Sequence, residues 1–205
     1  MTEFYPQKPY LSHGIEIKHS RFITHVAHTP DLECARNFIT EIQQQHPKAN
    51  HNCWAHIAGT RSYLQCWNSS DDGEPKGTAG KPMLNVLEHS DLCEITVVVT
   101  RYFGGIKLGA GGLVRAYSQA VQEALKVLPT EERIPLFPFD LYLPHHLVGD
   151  IEQLLNQDQI TILDRHWSEE LHIQGEASAT ALDQLKQRLT SFKHLTRYKD
   201  ADSRW

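Results

Sequence analysis

A strand pattern, a glycine-rich turn and a helix pattern follow one another between residues 94 and 128. The strand pattern is EITVVVTRYF, whose β-branched run at 95–99 is typical of a central strand. The helix pattern begins at residue 113 and places its apolar residues on one stripe. Because such a strand and such a helix each have an apolar face to cover, their order predicts a layered domain of mixed α and β structure.

The turn RYFGGIKLGAGGLVRAY, residues 101–117, contains five of the twelve glycines and no acidic residue. Glycine lets the backbone approach a ligand closely, and the helix that follows presents free N–H groups and the positive end of its dipole. A strand, a glycine turn and a helix in this order therefore predict an anion site. The alternative is a tight crossover in which glycine only avoids clashes.

Arg101, Lys107 and Arg115 would supply mobile positive charge to this anion site. The spacing is not that of a P-loop, because no lysine follows the last glycine, nor that of the dinucleotide fingerprint, whose third glycine would fall on Val114. The other predicted members are Tyr102, the glycines Gly104, Gly105, Gly109, Gly111 and Gly112, and two lysines of a second glycine-lysine segment, Lys76 and Lys81.

That second segment, SSDDGEPKGTAGKPML, brings three carboxylates together at Asp71, Asp72 and Glu74. Carboxylates on a short turn suit Mg²⁺ or Ca²⁺, but the offsets do not match the EF-hand loop. Asp-Asp-Gly followed by Glu-Pro is also ordinary turn chemistry, so a surface loop with solvated acids is the alternative. The pattern assigns no metal and no cofactor. The whole polar stretch 61–77 is predicted to be a loop.

The segment HPKANHNCWAH offers a further set of reactive side chains. His51 and His56 have a possible zinc spacing, but strand positions five apart face opposite sides of a sheet. His51 and Cys53 do share a face, so a Cys–His nucleophile pair and a buried thiol beside a satisfied histidine are both open. His51, Asp72 and Glu74 are weak candidates for catalysis, and no catalytic residue is assigned.

The composition restricts the class of protein. The net charge is −5, so the chain as a whole is not a polybasic nucleic-acid binder, and any anion site must be a local patch. The four cysteines form no C-x-x-C pair, and neither a signal-peptide pattern nor a membrane-spanning apolar run is present. We expect a reduced, cytoplasmic protein without membrane contact.

The segment PTEERIPLFPF, residues 129–139, has three prolines and is typical of a linker. It divides the chain into domains at 1–133 and 134–205. The second domain has seven Lys/Arg and eleven Asp/Glu from residue 136 onward, and its pattern predicts the order β-α-β-β-α-β, the ferredoxin-like arrangement. In the first domain, a helix is predicted after Thr29, with Thr29 as its N-cap.

Two of the segments quoted above, SDDGEPKGTAGKPML and VVVTRYFGGIKLGAGGLVRAY, resemble the signature segments of the IMPACT family, in particular its bacterial YigZ-like branch. SRFITHVAHT and HNCWAH resemble its N-terminal motifs. The resemblance implies an N-terminal α/β domain like the second domain of a small-subunit ribosomal protein and like domain IV of elongation factor G. It also implies a ferredoxin-like C-terminal domain similar to a later domain of that elongation factor.

The resemblance implies that eukaryotic members regulate the initiation of translation through a scaffold protein, with an accessory domain that we do not expect in this chain. We therefore do not expect that eukaryotic role here. For bacterial members the resemblance implies RNA or ribosome binding with a link to the regulation of translation, and we expect the glycine turn to make the contact. Two alternatives stay open. One is an adaptor that binds a protein partner through the C-terminal domain. The other is a Mg²⁺-dependent enzyme acting on a phosphorylated small molecule, although the kinase superfamily's glycine-serine-serine motif is absent.

Overall fold

The glycine turn lies in the first of two compact units, Met1–Arg133, and the second unit is Ile134–Trp205. The structure is a computed structural model, and it describes residues 3–59, 66–156, 159–192 and 196–200. The elements of the first unit are, in chain order, β1 (Glu3–Pro6), β2 (Tyr10–Ile17), β3 (Ser20–His28), α1 (Leu32–Gln45), β4 (His51–Ile57), β5 (Trp67–Ser70), α2 (Gly80–Glu88), β6 (Ile95–Tyr102), α3 (Ala110–Lys126) and β7 (Thr130–Arg133).

Strand β6 lies at the centre of a five-stranded antiparallel sheet with the order β2-β3-β6-β4-β5, so the prediction of a central strand is confirmed. Successive side chains of a strand face opposite sides. Val97 and Val99 therefore pack with α2 and α3 in the larger core, while Val98 packs with α1 on the other face. This burial on both faces explains the unbroken β-branched run. Strands β1 and β7 pair separately.

Two local expectations are wrong. Helix α1 is capped by Asp31, which accepts a 2.7 Å hydrogen bond from the Cys34 N–H, whereas Thr29 bonds instead to the Thr96 hydroxyl at 2.8 Å. The stretch 61–77 is not a loop throughout, because Trp67–Ser70 pairs with β4 as an edge strand. Residues 60–65 lie outside the described part of the chain.

The second unit consists of β8 (Leu136–Leu143), α4 (Val148–Leu155), β9 (Ile160–Trp167), β10 (Leu171–Ser178), α5 (Ala179–Leu189) and β11 (Arg197–Asp200). The element order is the predicted β-α-β-β-α-β. The strands form an antiparallel sheet in the order β11-β8-β10-β9, and the two helices supply the rest of a separate apolar core. In the described part of the chain, no helix is both long enough and apolar enough to cross a bilayer.

Candidate functional site

The C-terminal end of β6 organises the site. Arg101 is paired in register with Phe22 of β3 on one side and with His51 of β4 on the other. Cross-strand partners face the same side of a sheet, so the three side chains form one row. Tyr117 of α3 packs edge-on against Phe22, with ring centroids 5.3 Å apart. The row therefore lies beneath α3, close to the start of the glycine turn.

Arg101 is the centre of a buried ion pair. Its Nη1 donates a 2.5 Å hydrogen bond to Oε1 of Glu74, and the two side chains are only 7% and 3% exposed. The Tyr117 hydroxyl donates to the same oxygen at 2.9 Å. Arg101 thus differs from its predicted role as a mobile cation, because the sheet register turns it inward. Its ion pair connects the C-terminal end of β6, next to the start of the turn, to Glu74.

Cys53 lies fully buried beside this ion pair. Its thiol donates to the carbonyl oxygen of Asp71 at 2.9 Å, and the Tyr117 hydroxyl lies 3.3 Å from the sulfur. Burial raises the pKa of the Cys53 thiol far above its ordinary value, and burial raises the pKa of Tyr117 as well. A thiol that stays protonated and inaccessible does not act as a nucleophile, so the structure favours the buried-thiol interpretation.

The three weak catalytic candidates are brought together, but each is held by internal contacts. His51 Nδ1 donates to the Asp72 carbonyl oxygen at 2.7 Å, and its Nε2 lies 3.9 Å from Glu74 Oε2. The Asp72 carboxylate accepts from the Asn52 N–H at 2.6 Å. Within the described residues, no three His, Cys, Asp or Glu side chains are arranged to hold a metal ion. The hydrogen bonds of His51, Asp72 and Glu74 are therefore made within the protein.

Asp71 closes the N-terminus of α2. Its carboxylate accepts hydrogen bonds from the backbone N–H groups of Gly77, Ala79 and Gly80 at 2.7, 3.0 and 2.8 Å. Partial burial pushes the pKa of Asp71 upward, but these hydrogen bonds outweigh it and lower the pKa below its ordinary value. The positive end of α2 is therefore neutralised by the protein itself.

The N-terminus of α3 is left open. The Phe103 N–H is bonded to Asn50 Oδ1 at 2.8 Å and the Gly104 N–H to Ser20 Oγ at 3.2 Å. After them, each backbone N–H from Gly105 through Gly112 lacks an acceptor within the described parts of the chain. We call residues 105–112 the open amide segment. The N-cap of α3, Gly109, provides no side-chain hydrogen bond, and the first turn contains no acid.

The positions of this turn differ in whether, and why, the fold requires glycine there. A Cβ on Gly104 would lie 1.9 Å from the carbonyl oxygen of His19 in the β2–β3 turn, so only glycine fits there. Gly105 and Gly109 have φ of 89° and 72°, which favours glycine. Gly111 is different, because its φ is ordinary and a Cβ would meet nothing within 4 Å. Nothing inside the described fold requires glycine at this helical position.

Two cations of the glycine turn have no ion-pair partner in the described part of the chain. Lys107 and Arg115 are exposed, and among the described residues neither has an ion-pair partner. No Asp or Glu occurs between Glu94 and Glu123 in the sequence. Lys76 is likewise exposed and unpaired within the described residues, whereas Lys81 is paired with Glu88 at 3.2 Å.

Tyr102 lies on the opposite face of the sheet from Arg101. Its hydroxyl is bonded to His46 Nδ1 at 2.9 Å, beside α1. Predicted as a neighbour of the anion site, it instead joins a cluster with His25, whose ring centroid is 4.9 Å from that of His46. His25 Nδ1 is bonded to the Tyr10 hydroxyl at 2.8 Å, and its buried Nε2 has no partner in the described structure.

This histidine cluster predicts a loss of stability in acid. Burial first, and then the neighbouring His46, lower the pKa of His25 to about 4. Since the unfolded chain binds the proton at its ordinary pKa, we expect the free energy of unfolding to fall by about 2 kcal/mol between pH 7.5 and pH 5 because of His25. Urea unfolding of His25→Gln should show a correspondingly weaker pH dependence. The matched control His89→Gln removes an exposed imidazole and should keep the wild-type dependence.

Asn50 and Ser20 are site residues that the sequence did not indicate. Each contributes a side-chain oxygen that fixes one N–H at the start of the turn, leaving the following amides open. Their roles depend on the register of β3, β4 and β6, which no local pattern encodes. Tyr117 gave a weak signal, because a tyrosine in an apolar helical stripe needs a partner for its hydroxyl.

Comparison with known proteins agrees with this architecture. The family model described as the Impact N-terminal domain matches residues 18–125, a range that includes both signature segments and the open amide segment. The chain belongs to the IMPACT family. A Haemophilus influenzae protein described as an IMPACT family member is 43% identical over 190 residues, which are 93% of this chain and 92% of that protein.

A further relative places the chain in the bacterial YigZ-like branch of the IMPACT family. Escherichia coli IMPACT family member YigZ is 50% identical over 142 residues, 69% of this chain and 70% of that protein. A crystal structure described as that of a hypothetical protein is 37% identical, with a TM-score of 0.80, and covers 99% of this chain and 98% of that one. The two-unit fold of this chain is therefore shared over its whole length.

Proposed function

We propose that the open amide segment binds phosphates of RNA, on the ribosome or on another RNA, and that this IMPACT-family protein is linked to the regulation of translation in the cytoplasm. The observation that carries the proposal is the unbroken run of backbone N–H groups without an internal acceptor in the described chain, at a helix N-terminus flanked by Lys107 and Arg115. Consecutive amides of this kind form a concave site for anions.

The contrast between the two helix N-termini of this face supports the proposal. The chain supplies its own carboxylate, Asp71, to the amides before α2, but no acid to the described amides before α3. An external anion would accept hydrogen bonds from the amides at the N-terminus of α3, as the Asp71 carboxylate does at the N-terminus of α2. Polyanionic RNA is favoured over a single nucleotide, because the open segment is longer than one phosphate needs and Lys107, Arg115 and Lys76 offer several charges.

Membership of the IMPACT family also supports a role in translation. The resemblance implies a first domain like one in a small-subunit ribosomal protein and like domain IV of elongation factor G, and a ferredoxin-like second domain. Both likenesses are to parts of the translation apparatus. A regulatory role in translation is the role that the resemblance implies for eukaryotic members, and we propose it for this chain in that general sense only.

A protein partner for the second unit is a second proposal. This unit has an excess of acidic over basic residues, and its edge strand β9 exposes Leu163 and Trp167, which are 62% and 57% accessible. Exposed apolar side chains on a unit with an acidic excess fit a basic protein segment. Retention of one stoichiometric protein by the wild-type chain, but not by Leu163→Ser/Trp167→Ser, from RNase-treated lysate would support it. Retention by both would contradict it.

Sedimentation with ribosomes and with separated subunits tests the main proposal. We expect wild-type protein to co-sediment at low salt and to be released as salt rises. In Lys107→Ala/Arg115→Ala, the binding constant at low salt should fall by about tenfold or more. The plot of log binding constant against log salt concentration should become less steep by roughly 0.7–0.9 for each phosphate that the variant no longer neutralises. Arg36→Ala/Lys48→Ala removes the same charge beside α1 and should bind like wild type. No co-sedimentation at low salt would contradict ribosome binding.

The variant Gly111→Ala tests whether glycine at this position serves RNA binding or the stability of the fold. Since a Cβ at this position meets nothing within 4 Å and the φ is ordinary, alanine should raise the free energy of unfolding by about 0.5–1 kcal/mol. The same methyl group would stand in the way of a closely approaching phosphate, so RNA binding should weaken. Urea unfolding and RNA titration measure both effects. A variant that is more stable and binds RNA as well as wild type would contradict phosphate contact at Gly111.

A further inference from the structure

Large apolar side chains border the open amide segment and are exposed. Phe103 and Ile106 are each 44% accessible, and Val114 is 37% accessible. They lie within twelve residues of one another in the sequence, before, inside and just after the open amides. Phosphate binding alone gives these side chains no function, because phosphate oxygens are contacted by N–H groups and cations. Apolar surface next to phosphate donors indicates a ligand with an apolar part.

Phe103 is the side chain among these that is held in place. Its backbone N–H is fixed by Asn50 Oδ1 at 2.8 Å. Its ring lies 5.6 Å from the guanidinium of Arg101, which is itself locked by Glu74. Within the described residues, no other aromatic ring stacks on Phe103. The ring is therefore held by a fixed cation while almost half of its surface stays free.

Arg101 places a buried positive charge next to the ring of Phe103. Its Nε–H is buried and has no acceptor among the described residues, although the residue is only 6% exposed. The guanidinium carbon lies 5.5 Å from the ring centroid of Phe22 and 5.6 Å from that of Phe103. Its charge is thus shared by one carboxylate and two aromatic faces. An electron-rich group stacked on the outer side of Phe103 would lie within the field of this cation.

We propose that an unpaired nucleobase stacks on Phe103 while the phosphates next to it bind the open amide segment. The inference rests on the proposed function and names its ligand class as single-stranded or looped RNA. Bases inside a duplex are stacked on one another and cannot reach an exposed ring, whereas unpaired bases stack readily on aromatic side chains. The exposed cations Lys107 and Arg115, together with the open amides, favour a nucleic-acid strand over an apolar protein segment at this position.

Fluorescence anisotropy with end-labelled RNA tests the proposal. The probes are a single strand of about 12 nucleotides, long enough for one such site, and the same strand annealed to its complement. The variants are Phe103→Ala, Phe103→Trp and the matched control Phe137→Ala. The control removes a phenylalanine of similar exposure, 41%, from the second unit. Each protein is titrated at several salt concentrations.

We expect the wild-type protein to bind the single strand more tightly than the duplex. Phe103→Ala should weaken single-strand binding by roughly ten- to a hundredfold and leave duplex binding unchanged, while Phe103→Trp retains affinity and Phe137→Ala behaves like wild type. The salt slope of Phe103→Ala should equal that of wild type, because the variant keeps every phosphate donor, unlike Lys107→Ala/Arg115→Ala.

Two failures are distinguishable. If the wild-type protein binds neither RNA at low salt, the proposed function fails together with the inference. In the second case, the wild-type protein binds RNA and this binding depends on Lys107 and Arg115. The inference is then overturned, and the proposed function stands, if Phe103→Ala binds the single strand as well as wild type or if the duplex is bound as tightly as the single strand. Unchanged urea unfolding of Phe103→Ala assures that a loss of binding is local.

Discussion

Arg101→Ala is expected to lower the free energy of unfolding by about 3–5 kcal/mol, because it leaves the buried carboxylate of Glu74 without its cation. Glu74 is 3% exposed at its side chain and would retain only the Tyr117 hydroxyl at 2.9 Å as a close donor within the described structure, with His51 at 3.9 Å. Urea unfolding monitored by circular dichroism measures the change.

The double variant Arg101→Met/Glu74→Gln is the control for this prediction. It removes both charges, while the glutamine carbonyl can still accept from Tyr117. We expect it to be more stable than Arg101→Ala, since a neutral pair of similar volume carries no uncompensated charge. Arg115→Ala removes an exposed arginine without an ion-pair partner in the described chain and should change stability by less than about 0.5 kcal/mol. An Arg101→Ala protein within about 1 kcal/mol of wild type would contradict the ion pair's structural role.

Gly104→Ala is expected to destabilise the first unit by more than about 3 kcal/mol, or to prevent folding. The added Cβ would lie 1.9 Å from the oxygen and 2.0 Å from the carbonyl carbon of His19, both backbone atoms that no side-chain rotation can move. Either the β2–β3 turn or the start of the glycine turn would have to shift. Such a shift would break the 3.2 Å hydrogen bond from the Gly104 N–H to Ser20 Oγ.

Soluble yield and urea unfolding measure this effect. Gly111→Ala is the matched control, because it adds the same methyl group in the same segment without a contact within 4 Å. The pair therefore separates a glycine that the fold requires from one that the fold does not require. A Gly104→Ala protein that unfolds within about 1 kcal/mol of wild type would show that the two turns are not in close contact.

Much of the fold follows from local patterns. The β-branched run of β6 and the apolar stripe of α3 are long and strongly periodic, so their type and central position could be predicted from the sequence. The β-α-β-β-α-β order of the second unit could be predicted for the same reason. Strand β5 could not, because Trp67–Ser70 is short, polar and at a sheet edge, where only pairing with β4 defines it.

The open amides could be expected from the sequence, whereas anion binding by them stays a prediction. Glycine content and the following helix pointed to open amides, which depend on local chain geometry. The roles of Arg101 and Tyr102 depend on which side of β6 is covered by α3, and a strand pattern buried on both faces does not contain that information. The partner of Arg101 is Glu74, which is 27 residues away in sequence, so only the folded sheet shows that this arginine is not a free cation.

Backbone amide chemical shifts recorded during titration with a single-stranded RNA test the central claim most directly. In ¹⁵N-labelled protein, the amides of Gly105, Gly109, Gly111 and Gly112 are reporters inside the open amide segment, and those of Gly14 and Gly149 are internal controls. RNA binding at the segment predicts large, saturable shifts of the four reporters at low salt, reversed by added salt, with the two controls unmoved. Reporters that stay unmoved at RNA concentrations that saturate the protein would contradict phosphate binding at this segment.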